Sequence, residues 1–255
     1  SHYARWLASS VPSSEKHKEL LALYKSSDPA VRKSLLQEME EVSGPAVLPI
    51  LQLALESDRA EEIMAGLGLA ERLESERSIK WLLPLLSDSA PDEIRCKTAS
   101  VFEHFFREEE AVVHRKMQAV THLVRILENE QSEFVLSCSL RALAESEHYR
   151  ALGPTIELAR TGPIPIRENA VKTLGMLRER AALPALEEIL LAEEVSPSLR
   201  AKALVAMFRL GVDPFRQGFA SSEFRHDSPT RQRDFLKTIG ELRANGDAGL
   251  VIDYG

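Results

Sequence analysis

The sequence predicts an all-α chain, a solenoid of about seven stacked helix pairs, and three observations carry that expectation. One apolar template recurs along the chain at intervals of 29 to 41 residues. Apolar or small residues fall four, five and eight positions after an anchor, which places them on one face of a helix. Each such helix is followed by a short break and then a second apolar helix. No strand pattern competes: only Gly249 to Tyr254 reads as extended, and an unfinished helix explains it equally well. Helix pairs at a steady interval cannot each bury a face alone, so they must stack.

Residues 1–27 are expected to form N-terminal capping helices, with Lys18 to Tyr24 helical and Trp6 packed against that helix. The solenoid is expected over 28–244. Asp28-Pro29-Ala30-Val31-Arg32 opens its first helix, with Asp28 able to cap the start, and Val31 is followed by Leu35, Leu36 and Met39. Ala46 to Leu55 makes the second helix, with Pro49 in the opening turn, where a missing N–H has no intrahelical acceptor to lose. Ala65 anchors the next pair with Leu69, Ala70 and Leu73, and Ser78 to Leu86 completes it. Pro84 sits late in that second helix and is expected to kink or end it.

Asp92-Glu93-Ile94-Arg95 opens the third pair, with Asp92 able to cap the start and Thr98, Ala99 and Phe102 behind Ile94. Its second helix is lengthened, from about Glu109 to Asn129, and marks where the superhelix is expected to change curvature. Val135 follows with Ser139, Leu140 and Leu143, then Ile166 with Ala170, Val171 and Leu174. The second helix of that fifth pair, Ala181 to Leu191, carries Pro184 in its first turn. Leu199 comes next with Ala203, Leu204 and Met207, and Arg231 makes a last, poorer match with Phe235, Leu236 and Ile239. Residues 245–255 read as a truncated last repeat or a tail. The seven anchors are spaced by 34, 29, 41, 31, 33 and 32 residues. Small residues at the fourth position, Ser139, Ala170 and Ala203, let neighbouring helices approach closely.

The pieces Asp-Pro-x-Val-Arg, a helix rich in small residues, Leu-Gly, and a Leu-Pro-x-Leu helix together resemble the HEAT repeat. Ile166 to Gly175, continuing into Ala182 to Leu190, is the nearest match, and it is similar to the bacterial subtype named after phycobilisome lyases. The resemblance covers roughly residues 28 to 244 and implies a right-handed α-α superhelix of about seven HEAT-like helix pairs. Arg32, Arg95, Arg167 and Arg200 match the family's repeated basic position, for which the resemblance implies a structural role, tying one repeat to its neighbour.

Composition narrows the function classes. Hydrophobic residues make up 44% of the 255 residues and charged residues 28%, enough apolar surface to offset chain entropy. No run approaches the roughly 20 apolar residues of a membrane helix. Two cysteines, Cys96 and Cys138, are too few for a disulfide framework and read as small buried thiols in a reducing compartment. A net charge of −7 and a pI near 5.6 argue against nucleic acid as the main partner. Ser1-His2 resembles the remnant of a cleaved tag, and the chain is expected to be a segment of a longer protein, with an upstream membrane or signal segment left open.

Enzymes built on HEAT-like solenoids leave marks that can be sought in a sequence. Di-iron hydroxylases of that fold use repeated His-Glu pairs; here only the reversed order occurs, at Glu103-His104 and Glu147-His148, without a matching pair in register. DNA glycosylases need a positive face and aromatic residues to hold an extruded nucleotide, whereas aromatics make up 6% of this chain and Trp6 and Trp81 read as core or cap residues. Nothing distinguishes a phycobilin lyase from other members of the subtype. Gly66-Leu67-Gly68 lies inside a helical pattern and lacks the strand a phosphate loop needs. No catalytic, cofactor-binding or metal-ligating residue is expected, and no cofactor.

The one functional clue is the charge distribution. Residues 200–243 hold nine basic residues against five acidic ones, so that this stretch is +4 and the remainder of the chain −11. Arg216, Arg225, Arg231, Arg233 and Lys237 are the candidate partner-binding surface, with Phe215, Phe219 and Phe224 beside them. A solvated face with chance asymmetry, and three phenylalanines that simply pack an irregular helix, are the alternative. The expectation is a non-enzymatic, cytoplasmic scaffold or adaptor whose concave surface, lined by the second helices, binds another protein or another domain of its parent chain, with no nucleic acid and no membrane insertion of this segment. The alternatives are a regulatory cytoplasmic segment of a larger membrane-associated protein, or a HEAT-like enzyme such as a lyase or DNA glycosylase.

Overall fold

The computed structural model describes residues 13–39, 47–73, 75–107, 113–192 and 195–212. Among these there are twelve α-helices and no strand. The chain divides into two compact units, Ser1–Leu123 and Val124–Gly255.

In the first unit α1 (Ser13–Ser26) leads into the pair α2 (Pro29–Glu38) and α3 (Leu48–Leu55). The pair α4 (Ala60–Leu73) and α5 (Ile79–Leu82) follows, and then α6 (Asp92–Arg107). Next comes α7 (Val113–Asn129), the lengthened second helix of the third pair, and the division into units falls within it. The second unit holds α8 (Glu133–Ser146) with α9 (Leu152–Thr161), α10 (Ile164–Leu177) with α11 (Leu183–Leu191), and α12 (Pro197–Arg209). Each unit is a run of helix pairs in which first helices pack on first helices, α2 on α4 and α4 on α6 in one, α8 on α10 and α10 on α12 in the other. The poorer match at Arg231 lies outside the described residues.

Helix ends follow from local chemistry. The Asp28 carboxylate accepts the Val31 N–H at 3.0 Å with Pro29 in the first turn. The Ser196 hydroxyl does the same for Leu199 at 3.2 Å, ahead of Pro197. Asp92, expected as a cap, is instead the first residue of α6, and its carboxylate is taken up by Arg95 at 2.6 Å. Pro49 and Pro184 stand in the opening turns of α3 and α11. Pro84 ends the α-helical winding, so α5 stops at Leu82 and Leu83–Leu86 continues as a 3-10 turn.

Most template positions form the cores, although the first anchor, Val31, is 37% exposed and Leu73 is only half-buried. Leu35, Leu36 and Met39 are buried in the first unit, and Ser139, Leu140, Leu143, Ala170, Val171, Leu174, Ala203, Leu204 and Met207 in the second. Val31, Ile94, Val135, Ile166 and Leu199 are each the third residue of their helix. In α4 that third place belongs to Glu62, which is 1% exposed, while Ala65 is only half-buried. Read with Glu62 in that place, the intervals on either side of it become 31 and 32 residues. Glu62 is tolerated in the core because polar groups surround it: Ser57 Oγ donates to it at 3.0 Å, Arg32 lies at 3.5 Å and Arg59 at 3.8 Å. Tyr24, 1% exposed, packs into the same cluster under Arg32, whose guanidinium lies 5.9 Å from the ring centroid. Burial, then the Glu62 charge, push the Tyr24 phenol up to about 12, with Arg32 acting the other way.

A second regularity belongs to the second unit. Glu147, Arg178 and Gly211, each twelve residues after its anchor, all take left-handed backbone, with φ of 48°, 55° and 73°. Glu147 and Arg178 cap α8 and α10 and turn the chain into the next helix, and Gly211 follows the cap of α12. Only the third is glycine.

Candidate interaction face

The basic residues singled out from the sequence, Arg216, Arg225, Arg231, Arg233 and Lys237, lie outside the described residues, as do Phe215, Phe219, Phe224 and Trp6. The described residues offer a different candidate, on the second helices of the first unit.

There α3, α5 and α7 wall a pocket of about 420 Å³. Leu48, Pro49 and Gln52 of α3 form one wall, Ile79, Lys80 and Trp81 of α5 with Glu76 and Arg77 of the preceding turn another, and Gln118 of α7 a third. The shortness of α5 arranges the middle wall. Ile79 and Leu82, one turn apart, are buried, which leaves Lys80 exposed and Trp81 half-buried between them. The Lys80 ammonium sits 4.6 Å from the Trp81 ring centroid, a cation held over an aromatic face. Trp81, read from the sequence as core or cap, is therefore a pocket residue. Its ring offers a broad apolar surface with one N–H donor, beside the exposed cations of Arg77 and Lys80. The side-chain amide of Gln52 donates to Glu56 at 3.0 Å.

The repeated arginines are structural in their contacts. Arg167 Nε donates to the Ala159 carbonyl at 3.1 Å, and Arg200 Nη2 to the Ala192 carbonyl at 2.9 Å, each reaching eight residues back to the C-terminal end of the preceding second helix. A cation is favourable there because the last carbonyls of a helix lack intrahelical partners. Arg95, 6% exposed, bonds Asp92 and lies 3.9 Å from Asp88. Arg32 reaches forward, to Glu62 on the next first helix. Further polar links join neighbouring first helices: Lys33 to Glu61, Lys97 to Glu71, Asn169 to Ser137, Thr173 to the Leu140 carbonyl, and Lys202 to Glu168.

His148 precedes a 3-10 turn, where its ring nitrogen accepts the Arg150 N–H at 3.2 Å and its ring stacks on Tyr149. Partial burial, then the Arg150 charge, hold its pKa below the usual histidine range. Cys96 and Cys138 are buried on α6 and α8 as expected, but neither is a free thiol, which corrects the reading of two reduced cysteines. Among the described residues no helix is long and apolar enough to cross a membrane.

A family model described as HEAT repeats matches residues 117–207. No curated protein matches the chain. Among solved structures, an engineered protein superposes with a TM-score of 0.55 at 16% identity, over 77% of this chain and 96% of that one. A designed armadillo repeat protein in complex with the peptide (KR)4 gives a TM-score of 0.54 at 17% identity, over 75% and 98% of the two chains. Another designed armadillo repeat protein gives 0.52 at 17% identity with the same coverage. At this identity the likenesses show the fold, an all-α solenoid of stacked helical repeats.

Proposed function

We propose that this chain, whose residues 117–207 match HEAT repeats, is a non-enzymatic scaffold or adaptor that binds other proteins through its second-helix face. The observation that carries the reading is the pocket of about 420 Å³ walled by three second helices, with Trp81 presented in it rather than buried. A half-exposed tryptophan in a concave site is the kind of rigid anchor that concentrates binding energy. The helices behind it are packed cores, so little ordering would oppose binding. A protein of similar fold carries the peptide (KR)4 in its solved structure, which favours an extended peptide as the ligand of such a face.

Selection of phage-displayed peptides on the immobilised chain tests the reading. Enriched peptides are expected to lose binding on Trp81→Ala, with helix content unchanged by circular dichroism. Enrichment of peptides indifferent to Trp81→Ala, or a stoichiometric metal or pigment purifying with the chain, would sink it.

A further inference from the structure

We infer that the pocket on the second helices of the first unit selects an extended acidic peptide, seating an apolar side chain against Trp81 and carboxylates against Arg77 and Lys80. This rests on the reading that the second-helix face binds peptide, and adds its charge preference. The chain as a whole carries −7, yet the pocket lining holds two cations and one acid. Arg77 and Lys80 are exposed, and neither has an ion-pair partner among the described residues. Glu76, the single acid, already has a partner. The Lys80 ammonium lies over the Trp81 ring at 4.6 Å and not against a carboxylate. Its remaining N–H donors are open to an incoming acid, and the guanidinium of Arg77 matches a carboxylate with two parallel donors.

Size and charge set the ligand class. A pocket of about 420 Å³ seats side chains rather than a folded element. Two cations beside one aromatic ring suit a pair of carboxylates flanking an apolar residue. A polyphosphate backbone would call for a continuous positive stripe, which the net charge of this chain opposes.

The test uses a fluorescein-labelled octapeptide alternating Glu and Leu, its Lys and Leu counterpart, and a labelled oligothymidine, each titrated by fluorescence anisotropy. The full chain is compared with the Arg77→Glu, Lys80→Glu double variant and with Trp81→Ala. Both cations are exposed, so the double variant is expected to fold, as circular dichroism would show. The acidic probe is expected to bind the wild type about tenfold or more tightly than the lysine probe, and the double variant to lose that preference. An acidic probe indifferent to the double reversal, a preference for oligothymidine, or no binding of the acidic probe overturns the inference. A lysine probe preferred through Trp81 would overturn the charge preference while leaving the peptide-binding face in place. If no probe depends on Trp81, the face itself falls with it.

Discussion

The Glu62 carboxylate lies 3.5 Å from the Arg32 guanidinium, joining α4 to α2 at a position where the later repeats bury Ile94, Val135, Ile166 and Leu199. Arg32 is partly exposed and can reach water; Glu62 cannot. Arg32→Ala is therefore expected to destabilise the first unit by about 2 kcal/mol, below the roughly 3–5 kcal/mol of a fully buried pair because Arg59 remains. Glu62→Ile should cost less, since the two arginines it leaves behind can be hydrated. Urea unfolding orders the two variants, and the opposite order would reject this account of the cluster. In Glu62→Ile the Tyr24 phenol should also titrate below its value of about 12, without returning to the ordinary range, because burial is its largest cause and persists.

Close helix approach in the second unit makes Gly175 intolerant. A Cβ there would lie 2.8 Å from Ala206 Cα on α12 and 3.0 Å from its Cβ. Gly175→Ala should destabilise by about 1–3 kcal/mol. Gly68 in α4 would bring the same added atom only to an ordinary 3.7 Å contact with the end of the Arg72 side chain. Gly68→Ala should instead stabilise, by up to about 1 kcal/mol, through helix propensity. Opposite shifts in Tm check the pair.

The left-handed residues ending α8 and α10 give a third expectation. Glu147→Gly and Arg178→Gly should each stabilise by about 0.5–1 kcal/mol, since glycine adopts positive φ without a Cβ penalty. Gly211→Ala, at the equivalent place in the next repeat, should destabilise by a similar amount. Thermal unfolding of the three variants decides it.

Acid should weaken the link between α10 and α12. Burial raises the Glu168 carboxyl, but the Lys202 ammonium at 2.5 Å and the Ser198 hydroxyl outweigh it and hold it below the usual carboxylate range. A carboxyl depressed in the folded state binds fewer protons there than in the unfolded chain. Its stabilisation is full above the unfolded value of ~4.3, and is lost as pH falls through the folded one. Lys202→Met should remove that part of the pH dependence. Denaturant midpoints between pH 6 and pH 3 would show the wild type and the variant converging as the pH drops.

The helical class, the pairing of helices and most of their ends were legible in the order of residues. Apolar spacing, the Asp28 cap and proline act within a turn or two of chain, and each acts the same way wherever the chain goes next. The second repeat shows where such reading stops. An acidic residue is not a core residue by type, so Ala65 was the natural anchor. Glu62 becomes one only because Arg32, Arg59 and Ser57 converge on it from two helices and a loop. Glu147 and Arg178 carry no sequence mark of the positive φ with which they end α8 and α10. Gly66 and Gly175 look alike in a helical pattern, and the contact each permits, with Ala54 or with Ala206, depends on the neighbouring helix. The pocket was hidden for the same reason: a tryptophan after Ile79 and Lys80 reads as core until the neighbouring second helices are in place. Short-range preference wrote the repeats, and long-range convergence of side chains made the candidate site.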